Sequence, residues 1–157
     1  MVKTPLNNIY EHVEIENILK RCAFALDHQY WDVWDDSFSD DATIDFTHLS
    51  GRVGTPSAFK ERLSKKTPLR ISGQHNLTNI TVWVNGESVM AHSEFLIENA
   101  DKTNTLGFIE RTTLCGYYKD EFIKINGAWK IAKRQGFLNW KETRLVKDEV
   151  SRDTSIS

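Results

Sequence analysis

Two side chains in this sequence carry proton chemistry where the local structure does not ask for them. His75 lies in SGQHNLTNI, residues 72–80, a polar run at the mouth of an expected strand. An imidazole ordinarily titrates near about 6.5, so it can be a neutral base close to neutral pH. A strand histidine can equally be a spacer or a satisfied core residue. Asp27, in FALDHQYW, stands at the C-terminal end of an expected helix. There the helix macrodipole disfavours a carboxylate. A residue set against its local electrostatics is a candidate for a task elsewhere in the fold. The plainer reading is that it opens the next turn, where Asp is common.

Other polar residues present weaker cases. Arg134, in AWKIAKRQ, shares an expected strand face with Lys130 and Ala132, which reads as a solvated basic face or as an anion clamp. Glu98 ends an expected strand and could supply a second acid or simply meet solvent. Trp31 and Phe24 could wall a cavity or belong to the core. His12 falls early in a helix, His28 in a turn and His48 near a hairpin; His92 lies opposite the Val89 and Phe95 face. There is no HxH, HExxH or cysteine cluster, so neither a metal nor another cofactor is expected. Nucleophilic catalysis has no support either: GxSxG is absent, and Cys22 and Cys115 lack an activating setting. With no CxxC, both read as reduced thiols of a cytoplasmic chain.

The elements that must position these residues follow from periodicity. Ile15, Ile18, Leu19, Cys22, Ala23 and Leu26 recur at helical spacing in EHVEIENILKRCAFALD and form one apolar face. Trp31, Trp34 and Phe38 predict a short second helix, broken at SDD before a strand ATIDF. The Thr-Pro of GRVGTPSAFKERL starts a third helix over about 55–65. Strands dominate thereafter. NITVWV and VMAHSEFLIE flank the turn signal NGES, with Val89, Ala91, Ser93, Phe95 and Ile97 on one face. NADKTNT reads as a loop, and LGFIERTTLCGYYKDEFIKI as a long strand bending at Gly116. The second Asn-Gly, at 126 and 127, turns the chain into AWKIAKRQGFLNW. Residues 1–140 form one domain, and the charged 141–157 a short helix with a frayed tail. Helices followed by long, twisting strands indicate an α+β fold, a curved and mostly antiparallel sheet with a pocket under the helices.

Composition sets the outer bounds. The 157 residues suit one domain, with 39% hydrophobic and 27% charged side chains. A net charge of -2 argues against nucleic acid or an anionic membrane as partner. No apolar run is long enough to cross a bilayer, and the start MVKTPLNNIYEHVE lacks the apolar core of a signal peptide. Five Trp, four Tyr and eight Phe are enough to line a wide cavity as well as fill a core.

ALDHQYWDVWDDSFSDDATID resembles the N-terminal signature of SnoaL-like proteins in the nuclear transport factor 2-like superfamily. GRVGTPSAFKERL, GQHNLTN, NGESVMAHSEF and GYYKDEFIKINGAWKIAKRQ follow in matching order, so the resemblance spans nearly all of residues 8–140. It implies a cone-shaped, strongly bent sheet around a deep pocket closed by three helices. The superfamily includes enzymes, structural subunits and binding modules, so the fold alone does not choose a function. The pattern is closest to the subgroup of scytalone dehydratase, γ-hexachlorocyclohexane dehydrochlorinase and bile-acid 7α-dehydratase. The resemblance implies a dyad of Asp27 and His75, which lie 48 residues apart, a separation similar to that in the dehydrochlorinase. It puts Arg134 in the pocket, and Cys22 where the bile-acid enzyme brings a tyrosine. The full tyrosine and histidine set of scytalone dehydratase has no match, which leaves the acid partner unassigned.

The expected function is a cofactor-independent lyase or isomerase acting on a hydrophobic cyclic small molecule. His75, oriented by Asp27, would abstract a proton, with Arg134, Trp31, Phe24, Cys22 and Glu98 around the substrate. One alternative is a polyketide or terpenoid cyclase using the same dyad. Another is a non-catalytic binding or structural subunit, in which the dyad does not form or side chains fill the pocket. The resemblance also implies a homo-oligomer, dimer or trimer, joined through the convex sheet face.

Overall fold

A computed structural model describes residues 4–6, 8–66, 69–85 and 88–149. The chain runs β1 (Thr4–Pro5), α1 (Ile9–His28), α2 (Trp31–Asp36), β2 (Phe38–Phe46), α3 (Thr47–Ser50), β3 (Arg52–Gly54) and α4 (Pro56–Lys66). Four long strands follow: β4 (Arg70–Asn85), β5 (Ser88–Lys102), β6 (Phe108–Ile125) and β7 (Ala128–Lys147). All seven strands form one α+β sheet in the order β1-β4-β5-β6-β7-β2-β3. Neighbours are antiparallel except β2 and β7, which run parallel.

Helix α1 starts where the Asn8 side chain accepts the backbone N–H of Tyr10 at 3.0 Å, closing an orphan donor of the first turn. Its buried face carries Ile15, Ile18, Leu19, Cys22, Ala23 and Ala25. It ends at Gln29, whose φ of 59° is left-handed and whose N–H returns to the Ala25 carbonyl. That reversal sends the chain into α2, where Trp34 is buried and donates its indole N–H to the Pro56 carbonyl at 3.2 Å. The Thr55 hydroxyl caps α4 by accepting the Ala58 N–H at 3.2 Å.

The sheet curves because extra residues interrupt its ladders. Register shifts fall between Thr78 and Thr81 in β4, and opposite the steps Cys115–Gly116 and Glu121–Phe122 of β6. Gly116 stands at the bend. A Cβ there would lie 2.1 Å from the Phe137 carbonyl oxygen and 2.6 Å from the Phe95 ring. The β6–β7 turn is Asn126-Gly127, with φ of 51° and 85°, as the sequence signal requires.

Several expectations need correction. The SDD segment does not end in a break; it lies within β2, where Ser39 donates to Asp41 at 2.9 Å beside an irregular stretch between Phe38 and Thr43. A fourth helical segment, α3, is unexpected; it forms the connection of the β2–β3 hairpin, where the sequence places His48, and Asp45 initiates it by accepting the Thr47 N–H at 3.0 Å. Residues 99–102, read as loop, extend β5. Residues 141–147 are strand rather than helix, because β6 continues back to Phe108 and needs a partner there. The frayed tail beyond Glu149 lies outside the described residues.

Candidate active site

The last turn of α1 crosses the N-terminal half of β4, and this crossing joins Asp27 to His75. The Asp27 Oδ1 lies 2.5 Å from the His75 Nδ1, and Oδ2 accepts the His75 backbone N–H at 2.8 Å. Both side chains are largely buried, 9% and 14% exposed. Burial pushes the Asp27 carboxyl up. The ring hydrogen bond, charge and backbone N–H of His75, with the charge of His28, outweigh that and hold it below its usual range. An ionised Asp27 makes Nδ1 the donor and leaves the lone pair on Nε2. Nε2 has no hydrogen-bond partner among the described residues. Gly73 lies beside the pair: a Cβ there would make an ordinary 3.6 Å contact with the Asp27 Oδ1 but would crowd the Arg70 Nη1 at 2.9 Å.

His75 opens onto a cavity of about 180 Å³ between the end of α1, α3, α4 and the concave sheet. Leu26, Leu49, Leu63, Ile97 and Leu114 supply aliphatic walls, and Trp31, Phe46 and Tyr118 aromatic ones. Gln29, Lys66, Arg70 and Asn99 add polar groups. Arg70 is already engaged, donating Nε to Asp101 at 2.7 Å and Nη1 to Asn99.

Of the other sequence candidates, Trp31 alone lines this cavity. Arg134 is neither on a solvated face nor at the cavity. It is 3% exposed, donates Nε to Asp120 at 2.7 Å and Nη1 to the Cys22 Sγ at 3.1 Å. The cause is one extra residue in β7. Glu121 pairs with Lys133 but Phe122 pairs with Ile131, so the alternation flips at Ala132 and Arg134 turns inward while Lys130 stays out. Cys22 is therefore core, its thiol pushed up by burial. Glu98 points to the other face of β5, where it accepts from Thr113 at 2.6 Å and pairs with Arg111 at 3.2 Å. Phe24 is half exposed, its ring tilted against His28 at 4.3 Å between centroids, beside an outer groove. Tyr118 and Asn99 were missed as cavity residues. The pairing of Gly116, two positions before Tyr118, with the inward Phe95 is what places Tyr118 on the concave side. Among the described residues no group of three or more His, Cys, Asp or Glu is placed to hold a metal ion.

The SnoaL-like domain family matches residues 8–135. The chain belongs to that family. An uncharacterised protein, Rv2910c of Mycobacterium tuberculosis H37Rv, is 29% identical over 127 residues, covering 80% of this chain and 84% of its own length. A scytalone dehydratase-like protein from Novosphingobium aromaticivorans DSM 12444 superposes with a TM-score of 0.74 at 20% identity, covering 89% of this chain and 91% of that one. A hexachlorocyclohexane dehydrochlorinase from Novosphingobium barchaimii LL02 gives 0.73 at 15% identity, covering 87% and 91%. At such identities the structural likeness establishes the fold, which is the cone-like fold of the nuclear transport factor 2-like superfamily.

Proposed function

We propose that this SnoaL-like protein is a cofactor-independent lyase or isomerase acting on a hydrophobic cyclic small molecule. The observation that carries the reading is the His75–Asp27 contact at the wall of an apolar cavity. A carboxylate on Nδ1 holds the ring and stabilises the imidazolium that forms when Nε2 takes a proton from carbon. The imidazolium then returns that proton, to a departing hydroxyl in a dehydration or to another carbon in a double-bond shift. Burial of the pair strengthens its electrostatics. The dehydratase-like and dehydrochlorinase relatives support the same reaction class. A purely structural role is disfavoured by the open cavity and by the formed dyad.

Deuterium exchange tests this without knowledge of the natural substrate. Wild-type protein in D₂O should speed exchange of the protons alpha to the carbonyl of cyclohex-2-enone. His75→Ala should lose about 10²- to 10⁴-fold of that rate, the usual contribution of a positioned base. Equal rates in the two proteins would remove His75 as the base.

A further inference from the structure

Beside its other polar groups, the cavity wall carries a phenol that the dyad does not use. Tyr118 is 5% exposed and lines the same cavity as His75. Its ring is fixed on several sides. Phe95 lies 4.6 Å and Phe46 5.9 Å from it, centroid to centroid, and the Arg134 guanidinium stands 4.8 Å from the ring centre. Arg134 is itself held by Asp120, so the ring rests on a buried, closed ion pair. The hydroxyl has no hydrogen-bond partner among the described residues and keeps some accessible surface. Buried tyrosines ordinarily find a partner for that group. Burial holds the phenol far above its usual range, with the charges of Cys22, Asp120 and Asp27 adding to it against Arg134, so it remains a neutral donor.

The cavity measures about 180 Å³ and is half open to solvent. An enclosed apolar cavity of about 150 Å³ accommodates one benzene, so a six-membered ring has room beside Tyr118 and His75.

We infer that the substrate is a cyclic carbonyl compound whose oxygen accepts a hydrogen bond from the Tyr118 hydroxyl while His75 removes the adjacent proton. The inference rests on His75 being the base. In that step the C–H pair becomes the new carbon–carbon π bond. The carbonyl π pair moves onto oxygen, and the enolate oxygen so formed is held by the Tyr118 O–H. The proton resides on Nε2 of His75. Tyr118 thus serves as the acid partner in the electrostatic sense, stabilising charge where it develops.

4-Nitrophenolate mimics a single-ring enolate and reports its own hydrogen bonding by absorbance. Wild type should bind it, with an absorption maximum near the aqueous value. Tyr118→Phe keeps the ring packing and should bind about 10- to 100-fold more weakly, as expected for losing a hydrogen bond to a charged group. Its bound probe should absorb at longer wavelength. His75→Ala leaves the Tyr118 donor in place, so a failed exchange assay with intact phenolate binding would sink the base and not the donor. Equal affinity and an unshifted spectrum in Tyr118→Phe overturn the assignment, as does absence of binding to wild type. Should Tyr118→Phe not fold, a wild-type spectrum already shifted to longer wavelength overturns it alone.

Discussion

At the scale of single residues, Asp27 does two jobs with two oxygens, one on the His75 ring and one on the His75 backbone. Its depressed pKa fixes how stability depends on pH. The unfolded carboxyl titrates near about 3.9, and the folded one lower. The stabilisation is therefore complete above the unfolded value and is lost as pH falls through the folded value. Asp27→Asn should cost about 1–3 kcal/mol at neutral pH. The gap to wild type should close towards pH 2, as read by urea unfolding across pH. A constant gap would contradict this account. Local features made Asp27, a carboxylate at a helix end, and His75, an imidazole in a polar strand, candidates only; their pairing was anticipated from the family resemblance. Arg134 was misread because alternation was counted through Ala132, and no residue type announces an extra position in a ladder.

At the scale of elements, the long strands obtain their curvature from such extra residues and from one glycine. Gly116 permits β7 and the Phe95 ring to approach β6 where the sheet turns. The expected bend at Gly116 therefore coincides with a real crowding constraint. Gly116→Ala should destabilise the fold by about 1–3 kcal/mol or more, since the Phe137 backbone has to move. Thermal melting with near-ultraviolet circular dichroism would show it, and an unchanged midpoint would mean that β7 yields freely. Helix α1 was readable from its period and α4 from its Thr-Pro start. The strand over 141–147 was not, because its side chains are almost all exposed, four of them charged, and carry no alternation. Its partner, the first half of β6, decides its conformation.

At the scale of the molecule, the helices cover the concave side and leave the convex side bare. Leu96, Cys115 and Trp140 stand in register across β5, β6 and β7, with Leu96 40% and Trp140 48% exposed. Beside them runs an aromatic ladder in which Phe137 stacks on Tyr117 at 4.8 Å and on His48 at 5.2 Å, while His92 stacks on Tyr117 at 5.1 Å. Such a surface matches the oligomer anticipated from the family resemblance. Light scattering should therefore find a dimer or trimer, and Trp140→Glu should shift it towards monomer. A wild-type monomer at tens of micromolar would refute that expectation. No described helix is long and apolar enough to cross a membrane.

The sheet does not close, and the side of β4 away from β5 meets another described strand only at Trp83 and Val84. An open edge of that length is a template on which a second chain can lay a strand. The Asp27 carboxylate occupies one of its outward amides, that of His75. The same side chain proposed to tune the base thus also guards against self-templating, so activity and resistance to aggregation are tied to one carboxylate. A substitution chosen only to silence the chemistry, Asp27→Ala, would uncover that amide and offer the edge to a neighbouring molecule.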